Sequence, residues 1–154
     1  MHITRRLSGR KKPRRSTLTL DIKIFEMNKK EILEFVKNNP VFALATSFNN
    51  VPHVRIMRIC RVDEEGGLLF NTKTYKKSFI ELSENPNIEM CFYNMQDDIQ
   101  IRIFGKVEQI DDLDVKKNIV NDFPNLKKII ENHGYDAIVP YCLKNWHFKE
   151  CKRH

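Results

Sequence analysis

The sequence predicts a mainly β fold of the α+β class, with about six antiparallel strands and short helices between them. Two neighbouring segments, residues 88–93 and 99–104, alternate apolar and polar side chains with the period of a strand. Turn signals separate the strand-like segments, and prolines end the helix-like ones. Because an open sheet leaves unpaired edges, we expect a small closed or nearly closed barrel.

The charge is concentrated at one end of the 154-residue chain. Residues 1–26 hold eight Lys/Arg against two acidic residues, whereas the other 128 hold 19 basic and 18 acidic residues. We therefore expect a disordered tail over 1–26 and one domain over 27–154. The tail has three open interpretations: an arm for an anionic partner, a targeting peptide without the apolar region of a secretory signal, or an extension upstream of a natural start at Met27.

Hydropathy argues against a membrane-spanning protein, and cysteine spacing argues against a protein with a cysteine metal site or a CxxC motif. No apolar run approaches the roughly 18 residues that span a membrane. The four cysteines show no CxxC spacing and no ligand-like pairing with histidine, so they predict reduced, mostly buried thiols in a cytoplasmic protein. No metal site and no catalytic dyad or triad is evident.

The first elements form a helix and a hairpin. Asn28 and Glu31 have the spacing of a capping box and precede a helical apolar stripe. Residues 41–47 and 51–62 read as strands, and the turn signal Asn49-Asn50 predicts that they form a hairpin.

The following elements alternate between strand and helix. A turn at 63–67 leads into a strand at 68–71 and a helix over 75–84. After the two alternating strands, a helical pair is interrupted at Phe123-Pro124, and residues 137–148 form a last strand or strand pair.

Basic residues occupy positions where they are costly unless an anion is present. Arg55 and Arg58 lie inside the predicted strand 51–62. Lys76 and Lys77 open a helix, although a helix N-terminus already carries partial positive charge. A bound phosphate would explain both placements.

Each of these residues also has an ordinary structural interpretation. The lysines suit a solvated face, and Arg55 suits a surface ion pair. Gln100 suits an edge strand or a dimer interface, and His53 suits a surface histidine. Taken together, and with the hydroxyl of Thr72 close to the helix start, the cations favour a phosphate site.

The motifs resemble those of a known family when they are taken in order. They are Val41-Phe-Ala-Leu-Ala-Thr46, Pro52-His-Val-Arg-Ile-Met57, Leu69-Phe-Asn-Thr72 with Lys76-Lys77, Leu82-Ser-Glu-Asn-Pro-Asn-Ile-Glu-Met90 and Gln100-Ile-Arg-Ile-Phe-Gly105. From about residue 27 to 146 the chain resembles the pyridoxamine 5'-phosphate oxidase-like, FMN-binding split-barrel superfamily. It is most similar to the nitroimidazole-reductase-like and general-stress-protein-like members.

The resemblance implies a six-stranded antiparallel split barrel with flanking helices, an FMN site and a homodimer. Arg55 matches the arginine at the FMN phosphate, Lys76 and Lys77 match the basic pair there, and Gln100 matches a glutamine near the ring. The other matching positions are Ile56, Met57 and Arg58 along the ring, Phe70 and Asn71 at the end of the next strand, and the neighbouring Thr72.

One departure limits the implied activity. The oxidase has a lysine for its substrate's phosphate at the position that Cys60 occupies here. We therefore expect an FMN-dependent oxidoreductase that takes electrons from a nicotinamide donor and acts on a small nitro or quinone compound, not a vitamin B6 oxidase. A flavin or haem carrier or sensor without turnover, and a cofactor-free interaction domain, remain open.

Overall fold

The computed structural model describes residues 26–152, which form one curled sheet of eight strands with four α-helices around it. The helices are α1 (Lys29–Asn38), α2 (Lys77–Glu84), α3 (Leu113–Asp122) and α4 (Lys127–His133). The strands are β1 (Val41–Phe48), β2 (Val51–Arg58), β3 (Arg61–Val62), β4 (Leu68–Lys73), β5 (Asn87–Asn94), β6 (Ile99–Gln109), β7 (Ile138–Leu143) and β8 (His147–Lys152). The predicted tail and its anionic partner fall outside the described residues, Glu26 excepted.

The predicted hairpin of β1 and β2 is confirmed. Asn49 and Asn50 both adopt positive φ, at 50° and 61°, which is the backbone of a tight two-residue hairpin turn. The register places Arg55 opposite Leu44 and so on the core side of the hairpin, because residues directly opposite each other point to the same face.

The sheet runs in the order β2-β1-β5-β6-β7-β4-β3 with every pairing antiparallel, and β8 pairs with β6. Strand β6 is long enough to pair with β5 and β8 first and with β7 at residues 107–109. At Gly105 an added Cβ would lie 3.1 Å from the carbonyl oxygen of Asn145, so glycine permits the close approach at this bend. The result is a curled half-barrel.

Aromatic side chains fill the inside of the half-barrel. The ring of Phe42 lies 5.8 Å from that of Phe70 and 5.2 Å from that of Phe92. Phe70 also stacks on Tyr141 at 5.8 Å between ring centres. These rings come from four different strands, so burying them holds the two halves of the sheet together.

The predicted strand 51–62 is wrong in one respect, because it breaks at Ile59 and Cys60. The Ile59 N–H donates to the carbonyl oxygen of Pro40 at 2.8 Å, and the Cys60 N–H donates to that of Leu69 at 2.7 Å. The chain here passes from one end of the sheet to the other. The first bond extends the β1–β2 pair and the second extends the β3–β4 pair, so the chain joins the two edge strands of the sheet.

Other predictions hold with small corrections. The capping box of α1 is present in both directions, and the described residues form eight strands where six were expected. Helix α2 begins at Lys77, so residues 75 and 76 precede it. The segment 137–148 contains β7 and the start of β8, which both pair with β6.

All four cysteines are free thiols, and of these Cys142 is buried whereas the other three are partly exposed. Within the described residues, no helix has the length and apolarity needed to cross a membrane.

Candidate functional site

A groove of about 560 Å³ lies between the exposed edge of β2, the end of β4 and the start of α2. Its lining is basic, with a single acidic residue among many cations and hydroxyls. The lining residues are His53, Val54, Arg55, Ile56, Met57, Asn71, Thr72, Lys73, Lys76, Lys77, Ser78 and Glu81. This composition suits an anionic ligand.

The start of α2 faces the groove without a side-chain cap. Lys76 occupies the N-cap position and makes no capping hydrogen bond, and Lys77 is the first helical residue. The first N–H groups of a helix have no partner within the helix, and the helix dipole is positive there. Behind them the hydroxyls of Ser78 and Thr72 are 2.6 Å apart. The predicted clustering of Thr72 with the two lysines is therefore present.

Arg55 is held in a fixed orientation by buried partners. Its Nη1 donates to Thr46 Oγ1 at 2.7 Å, and its Nη2 forms an ion pair with Glu81. The Thr46 hydroxyl in turn donates to Glu81 Oε2 at 2.6 Å. The guanidinium keeps further N–H groups that these bonds do not use, and those remain available to a ligand in the groove.

Glu81 is the buried charge of the site, with 3% of its surface exposed. Burial alone would raise the pKa of its carboxyl group. The hydrogen bonds from Thr46 and Arg55, and the positive charge of Arg55, nevertheless hold that pKa below its usual value. His53 adds to this effect, since its Nδ1 lies 3.6 Å from Glu81 Oε1.

Asn71 presents an acceptor that lacks a donor. Its Nδ2 donates to Cys60 Sγ at 3.1 Å, while its Oδ1 is buried and has no hydrogen-bond partner in the described residues. Buried polar atoms are almost always paired in native proteins. The orphaned oxygen therefore points to a ligand that carries an N–H or O–H group.

Lys73 follows Asn71 on the same face of β4 and is half-buried at the edge of the groove. Burial lowers the pKa of its ammonium group, and the charge of Lys76 lowers it further. Its side chain makes no ion pair or hydrogen bond with residues 26–152. The sequence analysis missed this residue, although its spacing of two from Asn71 was a usable signal.

The structure brings most of the predicted site residues together. The seven that line the groove are Arg55, Ile56, Met57, Asn71, Thr72, Lys76 and Lys77. Arg58 lines an adjoining hollow instead. Phe70 is fully buried in the core, beneath the groove. Gln100 lies on β6 opposite Tyr93 and Cys151, outside the groove lining.

The sequence analysis also missed Ser78 and Glu81, which line the groove, and Thr46, which bonds to Glu81 behind it. Thr46 and Glu81 are 35 positions apart in the sequence, and Ser78 contacts Thr72 across the turn before α2. His53, interpreted from the sequence as a surface histidine, lines the groove beside Glu81. Within the described residues, no three His, Cys, Asp or Glu side chains cluster as metal ligands would.

Comparison with protein families gives a match over most of the described residues. The profile described as "Pyridoxamine 5'-phosphate oxidase" matches residues 28–135, which is more than half of the chain. No curated protein sequence matches significantly.

Comparison with solved structures gives the same fold. A NimC/NimA family protein from Clostridium acetobutylicum superimposes with a TM-score of 0.68 and 27% identity over 86% of this chain and 92% of that one. A protein from the same organism, related to general stress protein 26 of B. subtilis, has a TM-score of 0.63 and 16% identity over 79% and 89% of the two chains. A FAD-binding protein from Mesorhizobium loti has a TM-score of 0.58 and 16% identity over 82% and 96%.

Proposed function

The chain belongs to the pyridoxamine 5'-phosphate oxidase family, and from that premise we propose that it is a flavoprotein that binds FMN in the basic groove. We propose further that it is an oxidoreductase for small electrophiles. The observation that carries the proposal is a groove that ends at an uncapped helix N-terminus and is lined by four Lys/Arg side chains and one carboxylate.

The phosphate of FMN fits the end of the groove at α2. Lys76 and Lys77 supply mobile positive charge, and the N–H groups of Lys77 and Ser78 at the start of the helix supply directed donors. Arg55 supplies a planar donor group that Glu81 and Thr46 already orient. Because the arginine is ordered before the ligand arrives, less conformational entropy is lost on binding.

The ring of a flavin fits the other end, toward Met57 and Asn71. The orphaned Oδ1 of Asn71 needs a donor, and a flavin ring carries one N–H on its pyrimidine edge. Met57 offers an apolar, polarisable side chain on the β2 side of the groove. The residues present therefore fit a flavin, and Asn71 Oδ1 would accept a hydrogen bond from the N–H at the edge of the ring.

A bound flavin would supply two-electron redox chemistry, and the protein's own residues would bind it, orient it and shape access to it. The electrons would come from a reduced nicotinamide. A quinone that receives two electrons and two protons becomes a hydroquinone, and a nitro group that receives the same becomes a nitroso group with loss of one water molecule.

A homodimer is part of the proposal. Val54 and Ile56 on the outer face of β2 are 67% and 71% exposed. They lie opposite Ala45 and Ala43 of β1, so the outer face has an apolar patch. A twofold partner would bury this patch next to the groove.

Oxidation of vitamin B6 phosphates does not fit the site. Cys60 stands where the oxidase has a lysine. Its sulfur accepts a hydrogen bond from Asn71 Nδ2, and burial raises the pKa of its thiol. A neutral thiol cannot hold a substrate phosphate. The chain's one tryptophan, Trp146, is buried with its indole N–H donating to the Gly66 carbonyl oxygen at 2.9 Å, so it cannot contact a substrate.

Flavin loading followed by turnover tests the proposal. The purified chain is mixed with FMN, passed through a desalting column and supplied with a reduced nicotinamide and a quinone or nitroaromatic. We expect flavin absorbance to travel with the protein, nicotinamide oxidation that depends on the acceptor, and no pyridoxal 5'-phosphate from pyridoxamine 5'-phosphate. A protein that emerges colourless and inert, or one that forms the aldehyde at ordinary enzyme rates of about 1–10³ per second, contradicts the proposal.

A further inference from the structure

His53 lies between the groove and the buried carboxylate of Glu81. It is on β2, two residues before Arg55, so the two side chains point to the same face of the strand. The register places it opposite Thr46 of β1. Its Nδ1 lies 3.6 Å from Glu81 Oε1, and 36% of its side chain is exposed. The ring therefore faces a buried charge on one side and the groove on the other.

The two oxygens of Glu81 have different surroundings. The hydroxyl of Thr46 and the guanidinium of Arg55 both donate to Oε2. The oxygen that faces His53 is Oε1. A neutral imidazole carries one N–H, whereas the protonated ring carries an N–H on each nitrogen and a positive charge. Protonation of His53 therefore ensures that Nδ1 offers a donor to Oε1.

The net charge of this cluster depends on His53. When the ring is neutral, the negative charge of Glu81 compensates that of Arg55, and the pair presents no net charge to the groove. When the ring is protonated, Glu81 is shared between two cations, and the cluster carries one net positive charge. The free N–H groups of Arg55 then meet an anion without full compensation. Histidine side chains change charge between about pH 5 and 8, so this difference falls in the physiological range.

The other charged groups of the groove link protonation of His53 to the presence of an anion. Thr46, its neighbour on β1, is uncharged. The charged side chains that share the groove with His53 are Arg55 of β2, Lys73 of β4, Lys76 just before α2, and Lys77 and Glu81 of α2. Four of these five are cations, which oppose a further positive charge in an empty groove. A bound phosphate offsets that opposition, so anion binding and protonation strengthen each other.

We propose that His53 is a positioning residue for the anion in the groove. The protonated ring engages Glu81 and leaves the charge of Arg55 free to act on the ligand, so the groove binds phosphate groups more tightly in mild acid. This role rests on the proposed function for the identity of the ligand, which is FMN. The same charge balance applies to inorganic pyrophosphate, so the role of His53 and the binding of flavin can be tested separately.

Two substitutions that fix the charge at position 53 test the role. His53→Gln keeps a polar side chain that stays neutral, and His53→Lys supplies a positive charge throughout the tested pH range. His147→Gln, on β8 and outside the groove lining, is the control. Dissociation constants of the full chain at about pH 6 and about pH 8 are measured for FMN by fluorescence titration and for pyrophosphate by calorimetric titration. Comparing variants at one pH cancels the titration of the ligand's own phosphate.

At about pH 8 we expect wild type to bind FMN as His53→Gln does, and His53→Lys to bind it about fivefold more tightly, a modest coupling between two sites. At about pH 6 wild type should match His53→Lys and bind about fivefold more tightly than His53→Gln. His147→Gln should follow wild type at both pH values. A merely structural role would instead make both substitutions at position 53 weaken binding by a factor that does not change with pH.

The inference is overturned if the ratio of the wild-type and His53→Gln dissociation constants is the same at both pH values. Weaker FMN binding by His53→Lys than by wild type at the higher pH also overturns it. Failure of the proposed function has a different signature. A chain that does not retain FMN, but binds pyrophosphate with the expected pattern among the variants, keeps the role of His53 and loses the flavin. A chain that binds FMN equally in all variants keeps the function and loses the role, and binding of neither anion overturns both.

Discussion

Arg55 and Arg102 are both arginines within a strand that pair with a glutamate, yet their surroundings differ. Arg55 of β2 points to the core side and pairs with Glu81, which α2 buries. Arg102 of β6 lies on the outer face and pairs with Glu89 of the neighbouring strand β5, where both side chains are partly exposed. The sequence pattern of alternating residues is the same at both sites.

The difference identifies the pair that faces the groove. An exposed ion pair contributes little stability because water screens it. A buried carboxylate is expensive to desolvate, and the pair it forms seldom repays that cost by its own attraction. Glu81 fixes the guanidinium of Arg55 at the wall of the groove, so the gain is an oriented arginine. Arg102 is not among the described residues that line the groove.

Removing the buried carboxylate should have the largest effect on stability. Glu81→Ala leaves Arg55 and Thr46 without their shared partner, and because Arg55 can still reach water the expected loss is about 2–3 kcal/mol of unfolding free energy. Urea unfolding monitored by circular dichroism measures it. Glu89→Ala is the matched control and should cost less than about 1 kcal/mol. Equal losses for the two variants would remove the distinction between the pairs.

Removing the arginine should weaken FMN rather than the fold alone. Arg55→Ala should cost about 2–3 kcal/mol of FMN binding, the scale of a lost charge-assisted hydrogen bond. Fluorescence titration gives the two dissociation constants. Arg102→Ala should leave FMN affinity within about twofold of wild type, because Arg102 lines no part of the groove. Unchanged affinity in Arg55→Ala would show that the lysines and helix α2 bind the phosphate without it.

The buried pair should also make the free energy of unfolding depend on pH. The folded protein holds the pKa of Glu81 below its usual value, so the carboxylate stabilises the fold at pH values above its unfolded pKa of about 4.3. That contribution disappears as the pH falls through the lower folded pKa. The stability gap between wild type and Glu81→Gln, measured by urea unfolding from pH 7 to pH 3, should therefore narrow below about pH 4. A gap that is constant over this range would contradict the assignment of the charge.

The smallest expected effect is the coupling within the outer pair. A double-mutant cycle on Arg102 and Glu89 should give less than about 1 kcal/mol, and less again in high salt. The same cycle on Arg55 and Glu81 should give a larger coupling that salt reduces less. A salt-insensitive outer pair would indicate that a partner subunit covers it in solution.

Local signals in the sequence predicted much of the fold. The capping box of Asn28 and Glu31 and the hairpin turn at Asn49-Asn50 each depend on residues within a few positions of one another, so their side-chain types and spacing are sufficient. The strand break at Ile59 and Cys60 could not be predicted in this way. The N–H groups of the two residues bond to Pro40 and Leu69, and nothing in the local sequence Arg58-Ile-Cys-Arg61 signals a turn or a break.

The candidate site likewise contains some residues that local sequence signals predicted and others that only the fold brings together. The cations Lys76 and Lys77 stood out because the start of a helix disfavours them. Glu81 did not, because a glutamate in a helix has an ordinary appearance until the fold buries it against Thr46 and Arg55, far away in the sequence. Lys73 was equally ordinary as a strand-end lysine before its burial was known.

Comparing FMN with riboflavin tests the central claim most directly, because the two differ only in the phosphate that the groove is proposed to bind. Fluorescence titration of the wild-type chain with each should give at least about a tenfold tighter dissociation constant for FMN, which corresponds to roughly 1.4 kcal/mol. Lys77→Gln should reduce that ratio, and added salt should reduce it further. If riboflavin binds as tightly as FMN, the cations at the start of α2 do not form a phosphate site, and the proposal that the groove binds FMN by its phosphate is wrong.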